Sequence, residues 1–161
     1  ILVLRANYYV TSRQMVLETL VGSCFAICMH NRKNHFSAMN HFLLSYHPNP
    51  PASEIGRYGN SATDYIIRAL FKNDPTASHY DAQIFGGAAV FSKNQDSADV
   101  GRNNLEIALE MLDDYRIRVI RKEIGGTRGR RIKFDTMKNF VECRFTGDIP
   151  RKKAASARAA D

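Results

Sequence analysis

Residues 15–44 read MVLETLVGSCFAICMHNRKNHFSAMNHFLL. Residues 15 to 21 are apolar apart from Glu18 and Thr19 and predict a strand that stops at Gly22. Phe25 to Met29 is a second apolar run, the stretch 31–34 is polar and turn-like, and Phe36 to Leu44 is a third run. Strand, tight turn, strand, turn, strand brings positions 24 and 41 close together. The turn Gly22-Ser23-Cys24 then presents a thiol, and Asn40-His41-Phe42 presents an imidazole on the neighbouring run. These residue types make a nucleophile and its base. A free thiol titrates near ~8.5, so it needs a neighbour to take its proton at neutral pH. The imidazole does that and later returns the proton to a leaving group. A third polar side chain usually orients the imidazole. Thr19 is the candidate, with Glu18 as its adjacent competitor. Small residues at 22 and 23 let a substrate approach backbone N–H groups, which would then serve as an oxyanion hole.

A plainer reading stands beside the chemical one. Cysteine is often inert packing, and a histidine on an apolar run is often a structural residue.

Outside this stretch, short strands continue at both ends. Residues 6 to 10 predict a strand, and 46–57 holds three of the five prolines and predicts a loop. Tyr65, Ile66, Ala69 and Leu70 recur at helical spacing and predict a helix from Ser61 to Phe71. Ala82 to Phe91 predicts a strand interrupted by Gly86-Gly87, as a bulge or a close backbone approach requires. A second helix is expected over Asn103 to Asp114, with Leu105, Ala108, Met111 and Leu112 as its core stripe. Ile117 to Ile120 predicts a strand, and Arg131 to Phe134 with Phe140 to Phe145 a closing hairpin. About eight strands with two helices give an α/β or α+β class with mixed sheets.

The 161 residues are enough for one domain with a core. We expect a domain over 1–150 followed by a basic, Ala-rich, disordered tail over 151–161. The net charge of +7 is concentrated partly in that tail and in a Gly-rich turn at Arg128, Arg130 and Arg131. No basic residues interleave with aromatics as a nucleic-acid platform requires, so a solvated basic face is expected and no nucleic-acid partner. No apolar run is long enough to span a membrane, so no membrane insertion is expected. Three cysteines, Cys24, Cys28 and Cys143, form no disulfide framework, which together with the lack of a visible leader suggests a cytoplasmic location. Cys24 and Cys28, with His30 and His35, do not make a zinc spacing. There is no phosphate loop and no dinucleotide fingerprint. No metal and no cofactor are expected.

Several short segments in this order resemble the CheD family, the chemoreceptor glutamine deamidases of bacterial and archaeal chemotaxis. They are Tyr8-Tyr9-Val10, Thr19-Leu20-Val21-Gly22-Ser23-Cys24, Ala38-Met39-Asn40-His41-Phe42-Leu43-Leu44, Arg57-Tyr58-Gly59, Ile84-Phe85-Gly86-Gly87-Ala88, Gly101-Arg102-Asn103-Asn104 and Gly125-Gly126. The family often has leucine where Val21 stands and two glycines where Ser37 and Ala38 stand, changes that leave the chemical groups intact. The resemblance implies a layered α/β/β/α sandwich similar to the catalytic domain of the cytotoxic necrotizing factor toxins. It implies Cys24 as nucleophile, His41 as base and acid, and Thr19 as the orienting residue. It also implies hydrolysis of receptor glutamine side-chain amides, with chemoreceptor cytoplasmic helices and a CheC-type phosphatase as partners. A non-catalytic adaptor for those partners and a receptor methylesterase are the alternatives.

Overall fold

A computed structural model describes residues 1–89 and 95–146, with the side chains of 95–98 left out. The expected tail over 151–161 lies outside the described residues, as do the last residues of the strand expected to reach Phe91.

The strands are β1 (Asn7–Thr11), β2 (Val16–Val21), β3 (Phe25–Asn31), β4 (Ser37–Phe42), β5 (Tyr80–Gly86), β6 (Arg118–Ile124), β7 (Arg130–Asp135) and β8 (Phe140–Phe145). The helices are α1 (Gly59–Phe71) and α2 (Gln95–Asp114). A five-stranded sheet runs β1-β4-β3-β5-β6, and a three-stranded sheet runs β2-β7-β8. Among the described strands only β5 and β6 pair in parallel, with α2 between them in the chain, so the larger sheet is mixed. The small sheet is antiparallel throughout.

Both helices cover one face of the large sheet and the small sheet covers the other. On the helix side, Phe25, Ile27, Met29, Ala38, Phe42, Ala82 and Ile84 meet Ile66, Ile67, Leu70, Ala108 and Leu112. Between the sheets, Ala26, Cys28, Met39 and Phe85 meet Leu17, Val21, Ile132, Phe134 and Val141. The expected layered α/β sandwich is what the structure shows, with three layers among the described residues (helices, a mixed large sheet and an antiparallel small sheet) and no second helical layer on the small sheet among them.

This layering explains the sequence pattern. β3 and β4 are buried at every position, so both faces need apolar or small side chains and the strands read as continuous runs. β2 is covered on one face only. Its odd positions Leu17, Thr19 and Val21 point inward, while Val16 and Leu20 are exposed. The two-residue pleat therefore separates Thr19 from Glu18.

Several boundaries differ from the sequence reading. The consecutive strands β2 and β3 are not neighbours in one sheet; Gly22-Ser23-Cys24 is the crossover from the small sheet to the large one. β5 ends at Gly86 instead of continuing through it. Gly86 has φ 132° and Gly87 φ 72°, and a Cβ on Gly86 would collide with the Cys24 carbonyl oxygen. The glycine pair thus ends the strand and lets it approach the Gly22-Ser23-Cys24 turn. α2 begins at Gln95, earlier than expected, because its first turns carry little of the apolar periodicity that marks a buried helix face. Residues Ala52–Arg57 within the Pro-rich loop form a 3-10 turn.

Replacing Gly86 with alanine is expected to lower stability by about 2–4 kcal/mol, from backbone overlap and left-handed strain. A chemical denaturation curve measures this, and a midpoint equal to that of the wild type would refute the close-approach role.

Candidate active site

Cys24 sits at the end of the crossover, two residues before Ala26. Ala26 is the register partner of His41 on β4. Ala26 and His41 share the face of the sheet turned toward β2. The structure joins His41 directly to Thr19 and holds Cys24 in the bend that precedes β3, where its Sγ makes no hydrogen bond to His41 Nε2.

The turn is fixed by its carbonyls. Gly87 N–H donates to the Cys24 carbonyl (3.1 Å) and Ala88 N–H to the Gly22 carbonyl (2.9 Å). The N–H groups of Ser23 and Cys24 donate to no acceptor among the described residues. Backbone donors of this kind are what an oxyanion hole requires.

His41 is 1% exposed. Its Nδ1 lies 2.7 Å from Thr19 Oγ1. The Thr19 hydroxyl donates its single proton to the Val3 carbonyl at 2.7 Å. Thr19 Oγ1 must then accept from Nδ1–H, because a hydroxyl has only one proton to give. This fixes the neutral tautomer with its proton on Nδ1. The lone pair is left on Nε2, which is buried and has no hydrogen-bond partner. A buried acceptor without a donor is costly, so this bare atom stands out among the buried polar groups.

Electrostatics agree with a neutral resting pair. Burial, with the Arg5 cation adding to it, lowers the His41 pKa to about 4. Burial raises the Cys24 thiol above its ordinary value, against the opposing pull of Arg5 and a hydrogen bond with Ser23. At neutral pH the thiol and the imidazole are therefore both neutral.

The other titratable candidates lie elsewhere. Cys28 is fully buried deeper between the sheets, and its thiol is pushed up strongly by burial. Cys143, on β8, is raised to about 11 by burial and by Glu123. His30 bonds Ser37 Oγ at 2.9 Å near the opposite end of β3. Asn40 faces the helices, accepting from Ile27 N–H (3.0 Å) and donating to Thr63 Oγ1 (3.2 Å). Among the described residues, no group of three or more His, Cys, Asp or Glu side chains is placed to hold a metal.

Sequence reading missed the N-terminal strap. Residues 1–4 run beside β2, with Leu2 bridging Glu18 in parallel, and Ala6 N–H donates to the His41 carbonyl (2.8 Å). Through the Val3 carbonyl the strap sets the Thr19 hydroxyl and hence the His41 tautomer. A short run of apolar residues carries no signal that its backbone oxygen does this.

Thr19→Val would leave Nδ1–H buried without an acceptor, a cost of about 1–3 kcal/mol. We expect kcat to fall roughly 10- to 100-fold with KM little changed. Steady-state kinetics check it, and an unchanged kcat would remove Thr19 from the site.

The family model described as CheD chemotactic sensory transduction matches residues 43–145. A Sulfurimonas denitrificans protein named "Probable chemoreceptor glutamine deamidase CheD" is 33% identical over 141 residues, covering 87% of this chain and 90% of that one. A Shewanella oneidensis protein named "Probable chemoreceptor glutamine deamidase CheD 2" is 36% identical over 137 residues, covering 80% and 68%. On these matches, which together run over most of its length, the chain belongs to the CheD family.

Proposed function

We propose that this protein hydrolyses the side-chain amide of selected glutamines in chemoreceptors, converting them to glutamates through Cys24. The observation that carries the reading is the bare, buried Nε2 of His41 with its tautomer fixed by Thr19. The names of the relatives supply the substrate class.

In the first step Cys24 Sγ attacks the amide carbon while its proton passes to His41 Nε2. The oxyanion is held by the free N–H groups of Ser23 and Cys24. His41 then gives the proton to the departing nitrogen, ammonia leaves, and a γ-glutamyl thioester remains on Cys24. Water, losing a proton to Nε2, attacks the thioester. The carbon–sulfur bond breaks, the thiol is restored, and the product is glutamate. Each step uses groups already in the site.

The setting is the cytoplasm, where the substrate is the helical cytoplasmic region of the receptor and a CheC-type phosphatase is a second partner. No described helix is long and apolar enough to cross a membrane.

The test is mass spectrometry of a chemoreceptor cytoplasmic fragment after incubation with this protein. A gain of about 1 Da at particular glutamines, with stoichiometric ammonia, is expected. Methanol released from a methyl-esterified fragment, without ammonia from an amidated one, would replace the reading by ester hydrolysis. Receptor binding without either product would leave an adaptor.

A further inference from the structure

The rim of the site carries a cation that the reaction above does not consume. Arg5 lies on the strap and is exposed. Its backbone is firmly held. The Arg5 carbonyl accepts from Asn7 Nδ2 (3.0 Å), and the next residue, Ala6, has φ 63° and donates to the His41 carbonyl (2.8 Å). Gly56 packs so closely on the Ala6 carbonyl that any Cβ there would collide with it. A cation with an anchored base thus stands beside His41.

The guanidinium is not spent on the fold. Arg32, Arg68, Arg102, Arg118, Arg121 and Arg144 each pair with a carboxylate, but no carboxylate among the described residues pairs with Arg5. Its field reaches both reacting groups, acting on Cys24 and on His41. Apolar side chains are exposed on the neighbouring elements. Leu2, Leu4 and Leu20 are exposed on the strap and on β2, and Leu44 and Tyr46 are exposed on the loop leaving β4. The exposed face of the strap therefore offers apolar contact and a positive charge that no carboxylate among the described residues pairs with.

We propose that Arg5 is a specificity-determining residue that grips a carboxylate of the substrate polypeptide, so that glutamines with an Asp or Glu one helical turn away are preferred. The inference rests on the amide-hydrolysis reading above. On a helix, residues three and four apart share one face about 5–6 Å apart, so a side chain one turn from the glutamine stays beside the site when the glutamine enters it. A guanidinium suits such a carboxylate because its planar donors match both oxygens. Arg5 touches no reacting atom, so its contribution falls on binding.

The experiment uses the full chain and three helical peptides, each with one glutamine and with Glu, Ala or Lys four residues away. Ammonia release gives kcat/KM for each, and iodoacetamide labelling of Cys24 reports an intact site in every variant. The wild type should prefer the Glu peptide over the Ala peptide by about three- to fivefold, through KM, and the preference should shrink in high salt. Arg5→Glu should reverse the order toward the Lys peptide, and Arg5→Lys should keep most of the original order. The ratios are taken within one variant, so any general effect of the charge on the thiol cancels. Equal rates on the three peptides, or an order unchanged in Arg5→Glu, would overturn the inference while amide hydrolysis stands. No ammonia from any peptide or from the receptor fragment, with Cys24 still labelled, would bring down the amide-hydrolysis reading and this inference with it.

Discussion

Exchanging Cys24 for alanine is expected to lower ammonia release by at least about ten-thousandfold, because the thioester route has no other nucleophile. Cys24 is only half-buried and the turn is held by backbone bonds, from Gly87 N–H to the Cys24 carbonyl and from Ala88 N–H to the Gly22 carbonyl. The sulfur contributes little to these contacts, so the variant should keep its denaturation midpoint and still bind a receptor fragment. Hydroxylamine gives a second view of the same step. With the wild type it should intercept the thioester and leave a hydroxamate on the substrate glutamine, and with Cys24→Ala it should leave none. Turnover comparable to that of the wild type in a folded Cys24→Ala protein would sink the nucleophile assignment.

His41→Asn is expected to cost at least about 100-fold at pH 7. The asparagine amide still donates toward Thr19 but offers no base at the Nε2 position. Attack then depends on whatever thiolate exists already. An ordinary thiol titrates near ~8.5, and burial raises Cys24 above its ordinary value. At pH 7 the thiolate fraction is therefore about 3% or less, by the usual tenfold per pH unit. The pH profile carries the sharper signature. In the wild type the active form is neutral imidazole beside neutral thiol. Activity is lost only as pH falls through the His41 pKa, lowered to about 4, which protonates the base. The acid limb should thus lie well below the ordinary histidine range, leaving a plateau through neutral pH. In His41→Asn the plateau should vanish, and the rate should climb about tenfold per unit toward alkaline pH. A variant that kept the plateau, or more than about a tenth of the wild-type rate at pH 7, would show that His41 is not the base.

The same geometry explains why Thr19 is suited to its place and Glu18 is not. A carboxylate at position 19 would be buried beside a base that burial already keeps neutral, and a charge there is costly without a full set of donors. A hydroxyl passes the hydrogen bond on to the Val3 carbonyl and carries no charge. The imidazole is oriented while its pKa stays low.

Much of this was legible in the chain. The strands around Gly22-Ser23-Cys24 and Asn40-His41-Phe42 were visible because strand periodicity and tight turns are local properties, carried by adjacent side chains. Thiol and imidazole were legible as residue types, and the order of short segments carried the resemblance to the family that the comparisons show. Thr19 and Glu18 could both be named, and the inward alternation of Leu17, Thr19 and Val21 on β2 separates them.

What the tertiary structure alone decided depends on residues distant in sequence. β2 pairs with β7, Val21 opposite Arg130, so the turn before Cys24 joins two sheets instead of two neighbours in one. Local pattern gives a strand its two faces but not its partner, which is settled by long-range burial between sheets. The strap, the Val3 carbonyl and Arg5 entered the site for the same reason: a backbone oxygen and an exposed cation have no sequence signature for what they will stand beside. Protonation was decided there as well. The type of residue sets the ordinary pKa of a thiol or an imidazole, but the fold buries both groups, and burial favours the neutral form of each.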